Sequence, residues 1–329
     1  MKLLITGGAG YIGTNLCLKL LTLGYDLVVV DDFVNAKEKY IEKLKEIFKD
    51  RINVYKFDVR EEKKLNMLFE QNDFSGVIHL AAKKYVDESV KFPEDYLNNN
   101  IDSTKVVLKM MSKHEVGKLL FASSVVVYGN PTTTPVTEEE VFNPISPYAI
   151  SKMECEKLIL EWSNKKDNTA IICRFSNPAG ANMEYMFGDD PKLDKKNLIP
   201  YICDKIKKNE KLMFNGNNHP TRDGTPIRDY IHINDLTNIV AKLYDSVDKT
   251  VICNVARGEE GTTVLEVLKA TESVISQKIN YGFNPKREGD ISEITFSTKK
   301  LNDLIRYKYE NSMKDMVESQ FEFAKKKGN

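Results

Sequence analysis

The 329-residue sequence predicts an α/β protein, a doubly wound parallel sheet followed by a smaller C-terminal lobe. Three observations carry that expectation. Short apolar runs alternate with segments of helical period over the first half of the chain. A glycine-rich turn, Gly7-Gly-Ala-Gly10-Tyr-Ile-Gly13, follows the first run directly. Polar residues close successive runs, and the carboxyl ends of the strands are where an open sheet of this kind binds ligands.

The elements follow in order. Lys2-Leu-Leu-Ile-Thr6 reads as a buried parallel strand. Ile12, Leu16, Leu20 and Leu23 then recur at helical spacing until Gly24 stops the helix. Leu27-Val-Val-Val30 is a second buried strand, completing a βαβ unit of Rossmann type with glycines at its first turn. Such glycines allow a tight bend, close approach of a pyrophosphate and close helix–strand packing. The helix N-terminus adds unpaired N–H groups and a favourable dipole for an anion. Asp31 ends the second strand, about 20 residues after the glycines, where a carboxylate accepts hydrogen bonds from ribose hydroxyls. It also repels a 2′-phosphate, so NAD is expected rather than NADP.

Asn53-Val-Tyr-Lys-Phe57 is a third strand, and Asp58 after it suits the edge of an adenine. Gly76-Val-Ile-His-Leu80 is a fourth, ending at the small residues Ala81 and Ala82. Lys118-Leu-Leu-Phe-Ala122 is a fifth, running into Ser123-Ser124, and Ala170-Ile-Ile-Cys173 is a sixth. From Asn177 onward loops lengthen and the βα alternation breaks. The expected division is a dinucleotide-binding domain over residues 1–176 and a substrate-binding lobe over 177–329. Asp229-Tyr-Ile-His232 and Val251-Ile-Cys253 are candidates to return to the sheet, which would interleave the two.

Composition excludes several other classes. The 48 basic and 48 acidic residues cancel, leaving no global field for nucleic acid or membrane. Five scattered cysteines and four unclustered histidines suggest neither a disulfide framework nor a metal site. A first strand starting at the second residue leaves no room for a cleaved leader, and no apolar stretch approaches membrane length. A soluble protein of the cytoplasm is the expectation.

The second chemical motif lies about 140 residues beyond the first. Pro147 suits a first helical position, so Tyr148 and Lys152 share one helix face. A tyrosine ordinarily ionises near pH 10. A neighbouring ammonium, with the positive ring of NAD, favours the phenolate and should pull that value toward neutrality. The phenolate can take a proton from a substrate hydroxyl while the carbon beneath loses hydride, and Ser124 can hydrogen-bond the same oxygen.

These segments resemble the extended short-chain dehydrogenase/reductases. Phe121-Ala-Ser-Ser-Val-Val-Val-Tyr-Gly129 and Ser146-Pro-Tyr-Ala-Ile-Ser-Lys152 are similar to two of that family's signatures. Asn177-Pro-Ala-Gly180, Asn197-Leu-Ile-Pro-Tyr201, Asp223-Gly-Thr225, Arg228-Asp-Tyr-Ile-His232 and Arg287-Glu-Gly-Asp290 resemble its 4-epimerase branch. The resemblance implies reversible inversion at C4 of UDP-glucose and UDP-galactose through a transient 4-keto sugar, with NAD held tightly. It implies Tyr148, Lys152 and Ser124 as the catalytic trio. Gly7, Gly10, Tyr11, Ile12, Gly13, Asp31 and Asn35 would hold the cofactor with Asp58, Val59, Leu80, Ala81 and Lys84. Asn99, Phe175 and the Tyr148–Lys152 pair would flank its nicotinamide side. The sugar nucleotide would meet Ser124, Tyr148, Asn177, Asn197, Leu198 and Phe214, with Arg228 and Arg287 as planar forks for the diphosphate. Asp290 would complete that pocket, and Ile294 would border the sugar 2-substituent.

Some positions depart from the family pattern. Phe175 and Ser176 stand where relatives often carry Tyr and Phe, and Val126 stands where many carry Thr. A 4-epimerase of another UDP-sugar (N-acetylhexosamine, pentose or uronate) is one alternative. A nucleotide-sugar dehydratase is a second, although it needs an acid/base pair after Ser124, where this chain has Val125 and Val126. A catalytically inactive dinucleotide sensor is a third. Leu97, Ile101, Thr104, Leu108 and Met111, with Leu158, Ile159 and Trp162, form stripes suited to a four-helix homodimer contact.

Overall fold

Uninterrupted runs of Leu, Ile and Val have no polar face, so they are stable only as strands covered on both sides. The computed structural model describes residues 1–184, 186–193, 197–258, 260–286 and 291–327. Such runs form β1 (Lys2–Thr6), β2 (Asp26–Asp31), β4 (Gly76–His79), β5 (Lys118–Ser124) and β6 (Thr169–Phe175), while the more polar, largely exposed β3 (Ile52–Lys56) lies at the sheet edge. A seventh, Val251–Val255, pairs with β6. The order is seventh strand, β6, β5, β4, β1, β2, β3, and every pair is parallel. Chain order reverses between β1 and β4, so the glycine turn after β1 opens at the topological switch point.

The helices preceding the second lobe are α1 (Tyr11–Thr22), α2 (Glu38–Phe48), α3 (Glu62–Gln71), α4 (Val86–Lys91), α5 (Pro93–Lys113) and α6 (Pro147–Ser163). Strand residues alternate between two cores. Leu3, Ile5, Val29 and Ile171 pack with α1, α2 and the helix Ile233–Ser246. Leu4, Val28, Phe121 and Ile172 pack with α3, α5 and α6 on the opposite face. A third core joins the helices Leu198–Lys207, Val264–Ile275 and Met313–Lys326 of the C-terminal half.

Three expectations need correction. Leu23 is the C-cap of α1 and not one of its core residues: it is 48% exposed, and Gly24 at φ +97° ends the helix directly after it. The segment around Asp229–His232 does not join the main sheet. Tyr230–His232 pairs instead with Asn177–Ala179 in a separate parallel ladder. Local sequence makes a strand but does not choose its partner. Finally, Thr104, Leu108, Met111, Ile159 and Trp162 are all buried within this chain, where α5 and α6 pack on each other and on the sheet. Those stripes are core, and only Leu97, Ile101 and Leu158 remain half-buried.

One buried ion pair locks the site-bearing elements together. Arg174 of β6 and Glu156 of α6 have side chains 2% and 0% exposed. The guanidinium Nη2 donates to Glu156 Oε2 at 2.7 Å and Nε to Oε1 at 3.1 Å. Ser123 of β5 donates to the same carboxylate. Arg174 Nη1 donates to the Tyr128 hydroxyl at 2.9 Å, which donates to Asn254 Oδ1 of the seventh strand at 2.6 Å. Arg174→Met should strand the Glu156 charge and lower stability by about 3–5 kcal/mol, read as a fall in the urea midpoint. The double variant Arg174→Met/Glu156→Leu should recover most of that loss. Equal losses in both would place the stabilisation elsewhere.

Candidate active site

The site grows from the glycine turn. Gly7 takes φ +69°, and a Cβ there would lie 2.6 Å from the Ala81 nitrogen. A Cβ on Gly13 would lie 2.3 Å from the Gly7 carbonyl oxygen. Both glycines are therefore required by packing. Gly10 is different, since its Cβ would meet only the Gly7 oxygen at 3.4 Å and otherwise face open space. Gly10 is the N-cap of α1, with no side-chain cap and no acidic residue in the first turn. The helix presents its positive end bare, a cradle that suits a diphosphate.

A cavity of about 240 Å³ opens on this cradle. Gly7, Gly10, Tyr11, Ile12 and Gly13 line it together with Asp31, Asn35, Asp58 and Val59. Leu80, Ala81, Lys84 and Asn99 also lie on its wall, whereas the expected Tyr148, Lys152 and Phe175 do not line it. Asp31 is buried, and its carboxylate accepts from Ala9 N at 3.0 Å and Phe33 N at 2.9 Å. Burial raises its pKa to about 6, with those two N–H bonds opposing the shift. Asp58 is held in a fork by Arg60, which keeps its carboxyl below the usual range. These groups fit a dinucleotide: a bare helix end for the pyrophosphate and a fixed carboxylate for ribose hydroxyls. Among the described residues no cluster of His, Cys, Asp or Glu is arranged to hold a metal ion.

The chemical end lies at Ala122, which lines the cavity and whose carbonyl accepts from Lys152 Nζ at 2.7 Å. Ser146 accepts from Ala149 N and starts α6, so Tyr148 and Lys152 are set in its first turns beside β5. Tyr148 is buried with Ser124 beside its phenol, and its ring meets Tyr96 edge-on at 6.4 Å. Phe175 is in register with Ser124 across the sheet and is buried. The phenol's own surroundings act against ionisation, apart from any charge that a bound NAD ring would bring. Burial pushes the phenol up to about 12, against the Ser124 hydrogen bond. Burial also lowers the Lys152 amine to about 8. Desolvation disfavours both charged forms, and it exceeds the other influences here.

The residues expected around a sugar nucleotide are only partly gathered. Ile294 is in register with Arg228 and packs in one apolar cluster with Val125, Tyr128 and Phe296, so this pair adjoins the turn after Ser124. Asn177 is exposed and donates to the Asp229 carbonyl at 2.8 Å. Asn197 precedes the helix Leu198–Lys207 and donates to Asp189 at 2.9 Å, on the cavity rim. Leu198 and Phe214 pack into the third core, Phe214 against Tyr281 and Phe283. Arg287 and Asp290 lie outside the described residues. Sequence reasoning missed the outer wall, formed by Phe187, Gly188, Asp189, Asp190, Pro191 and Leu193. These residues have no periodicity, and their only signal is a pair of adjacent acids after a glycine.

Comparison with known proteins agrees with this geometry. The model of the NAD dependent epimerase/dehydratase family matches residues 3–256. A UDP-glucose 4-epimerase of Bacillus subtilis is 36% identical over 296 residues, covering 89% of this chain and 87% of the relative. The Schizosaccharomyces pombe UDP-glucose 4-epimerase uge1 is 36% identical over 321 residues, covering 94% and 90%. The crystal structure of UDP-glucose 4-epimerase from Bifidobacterium longum, in complex with NAD+ and UDP, superposes with a TM-score of 0.94 at 35% identity, covering 100% of this chain and 99% of that one.

The two kinds of glycine in the cradle are experimentally separable. Gly10→Ala should leave the urea midpoint near that of the parent protein while lowering the amount of dinucleotide retained after gel filtration. Gly13→Ala should lower both. Full retention in Gly10→Ala would mean that the helix end is not where the diphosphate lies.

Proposed function

The chain belongs to the NAD dependent epimerase/dehydratase family, and from that membership we propose that it is an NAD-dependent 4-epimerase interconverting UDP-glucose and UDP-galactose. The observation that carries the reading is the buried Tyr148 phenol beside Ser124, on the helix whose Lys152 is bound to the Ala122 carbonyl at the end of the cradle-bearing cavity. When bound, NAD supplies the hydride acceptor and donor for sugar C4 and a positive ring charge that favours the Tyr148 phenolate. Tyr148 takes the proton of the C4 hydroxyl and returns it after the 4-keto sugar has turned over. Ser124 holds the same oxygen through its hydroxyl. Lys152 holds its amine on the Ala122 carbonyl, one helical turn from Tyr148. Asp31, between two backbone N–H groups, receives the adenosine ribose.

Arg228 is suited to the diphosphate and Ile294 to the sugar side of the pocket, supported by their shared register beside the Ser124 turn. Val125 and Val126 follow Ser124 and transfer no proton, which disfavours the dehydratase. A homodimer accords with the half-buried Leu97, Ile101 and Leu158, and sedimentation of the purified protein tests it. The five unpaired, buried cysteines suit a reducing compartment such as the cytoplasm.

Tyr148→Phe should retain bound NAD but lose turnover by about a hundredfold or more, measured as UDP-galactose conversion. Near-normal turnover would transfer the proton role to another group. For substrate breadth, a branched Ile294 should admit UDP-glucose and UDP-galactose and turn over the N-acetylated pair weakly. Ile294→Cys should raise activity on UDP-N-acetylgalactosamine, and Ile294→Tyr should abolish it while sparing UDP-galactose. Wild-type behaviour of both variants on both sugars would remove Ile294 from the pocket.

A further inference from the structure

The outer wall of the cavity comes from a segment far along the chain, and its attachments are unusually dense. Tyr11 donates through its hydroxyl to the Gly180 carbonyl at 2.7 Å, and Asn15 Nδ2 to the Phe187 carbonyl at 3.3 Å, so α1 grips the start of this segment. The Gln320 amide brackets Asp189, accepting from its N–H and donating to its carbonyl, both at 3.1 Å. Gly188 lies so close to Phe323 that a Cβ would fall 2.4 Å from the ring. On the other side, Lys192 N donates to the Asn35 carbonyl at 2.9 Å.

Asp190 stands at the centre. Its side chain is 5% exposed and accepts from Lys37 Nζ at 2.7 Å, Tyr40 Oη at 2.6 Å and Lys327 Nζ at 2.8 Å. These donors come from the β2–α2 connection, from α2 and from the end of the helix Met313–Lys326. One carboxylate thus joins three segments that no backbone ladder connects. Charge-assisted hydrogen bonds of this kind are the strong ones. Nothing in the proton chemistry at Tyr148 uses them.

We propose that residues 187–193 form a clasp over the dinucleotide, with Asp190 as the latch that sets how long the cofactor stays bound. The inference rests on the NAD-epimerase reading, in which the cofactor must not leave between the two halves of a turnover. Opening the clasp requires breaking the Asp190 contacts with Lys37 and Tyr40 together with the Asn35 contact, while Lys327 and Gln320 travel with the segment or release it.

The test is exchange of bound NAD for isotopically labelled NAD, followed by rapid gel filtration, in wild type, Asp190→Asn, Lys37→Met and Lys327→Met. Asp190→Asn should exchange about tenfold faster or more, with the lysine variants between it and wild type. Circular dichroism and urea midpoints report whether each variant folds. Wild-type exchange rates in folded Asp190→Asn overturn the clasp. Should that variant not fold, wild-type rates in both lysine variants overturn it equally. If wild-type protein releases no NAD on denaturation, the cofactor reading itself fails, an outcome distinct from a latch that does not matter.

Discussion

The Arg174–Glu156 pair is the constraint on which the site depends. A carboxylate and a guanidinium this deeply buried are tolerated only when every remaining lone pair and proton is used. Here Ser123, Tyr128 and the Glu138 carbonyl supply further partners, and Asn254 in turn accepts from Tyr128. Glu156 lies one helical turn beyond Lys152 on α6, so fixing its carboxylate on β5 and β6 fixes the rotation of that helix. Once the rotation is set, Lys152 reaches the Ala122 carbonyl and Tyr148 reaches Ser124. The pair does no chemistry itself. It makes one helix phase the only one without a stranded charge.

The same burial that makes the site rigid works against ionisation within it. The phenol is raised to about 12 and the amine lowered to about 8. Within the protein, burial thus favours the neutral Tyr148 phenol and the neutral Lys152 amine. On the outer wall of the cavity, Asp190 pins the 187–193 segment to Lys37, Tyr40 and Lys327.

Much of this was legible in the sequence wherever the determinant was local. The six strands, the turn Gly7–Gly13, Asp31 and the Ser146–Lys152 helix start each depend on residues within one or two turns of chain. The expected cofactor residues from Gly7 to Asn99 do line one cavity. What could not be read depends on long-range pairing or on burial. The Tyr230–His232 strand looks like any other strand, and only its ladder with Asn177–Ala179 separates it from the main sheet. The stripe through Thr104, Leu108 and Met111 has the same spacing whether it faces a partner or its own sheet. The depth of burial of the Tyr148 phenol, which raises its pKa, is likewise something a sequence does not display. Asp190 is invisible for the same reason, because its three donors come from positions 37, 40 and 327.

The central claim is that hydride leaves and returns to the same sugar carbon within one closed site. UDP-galactose deuterated at C4, incubated with the purified protein and no added NAD, tests it most directly. The account predicts UDP-glucose that keeps its deuterium at C4. Product carrying protium at that carbon, or no conversion until NAD is added, would contradict it.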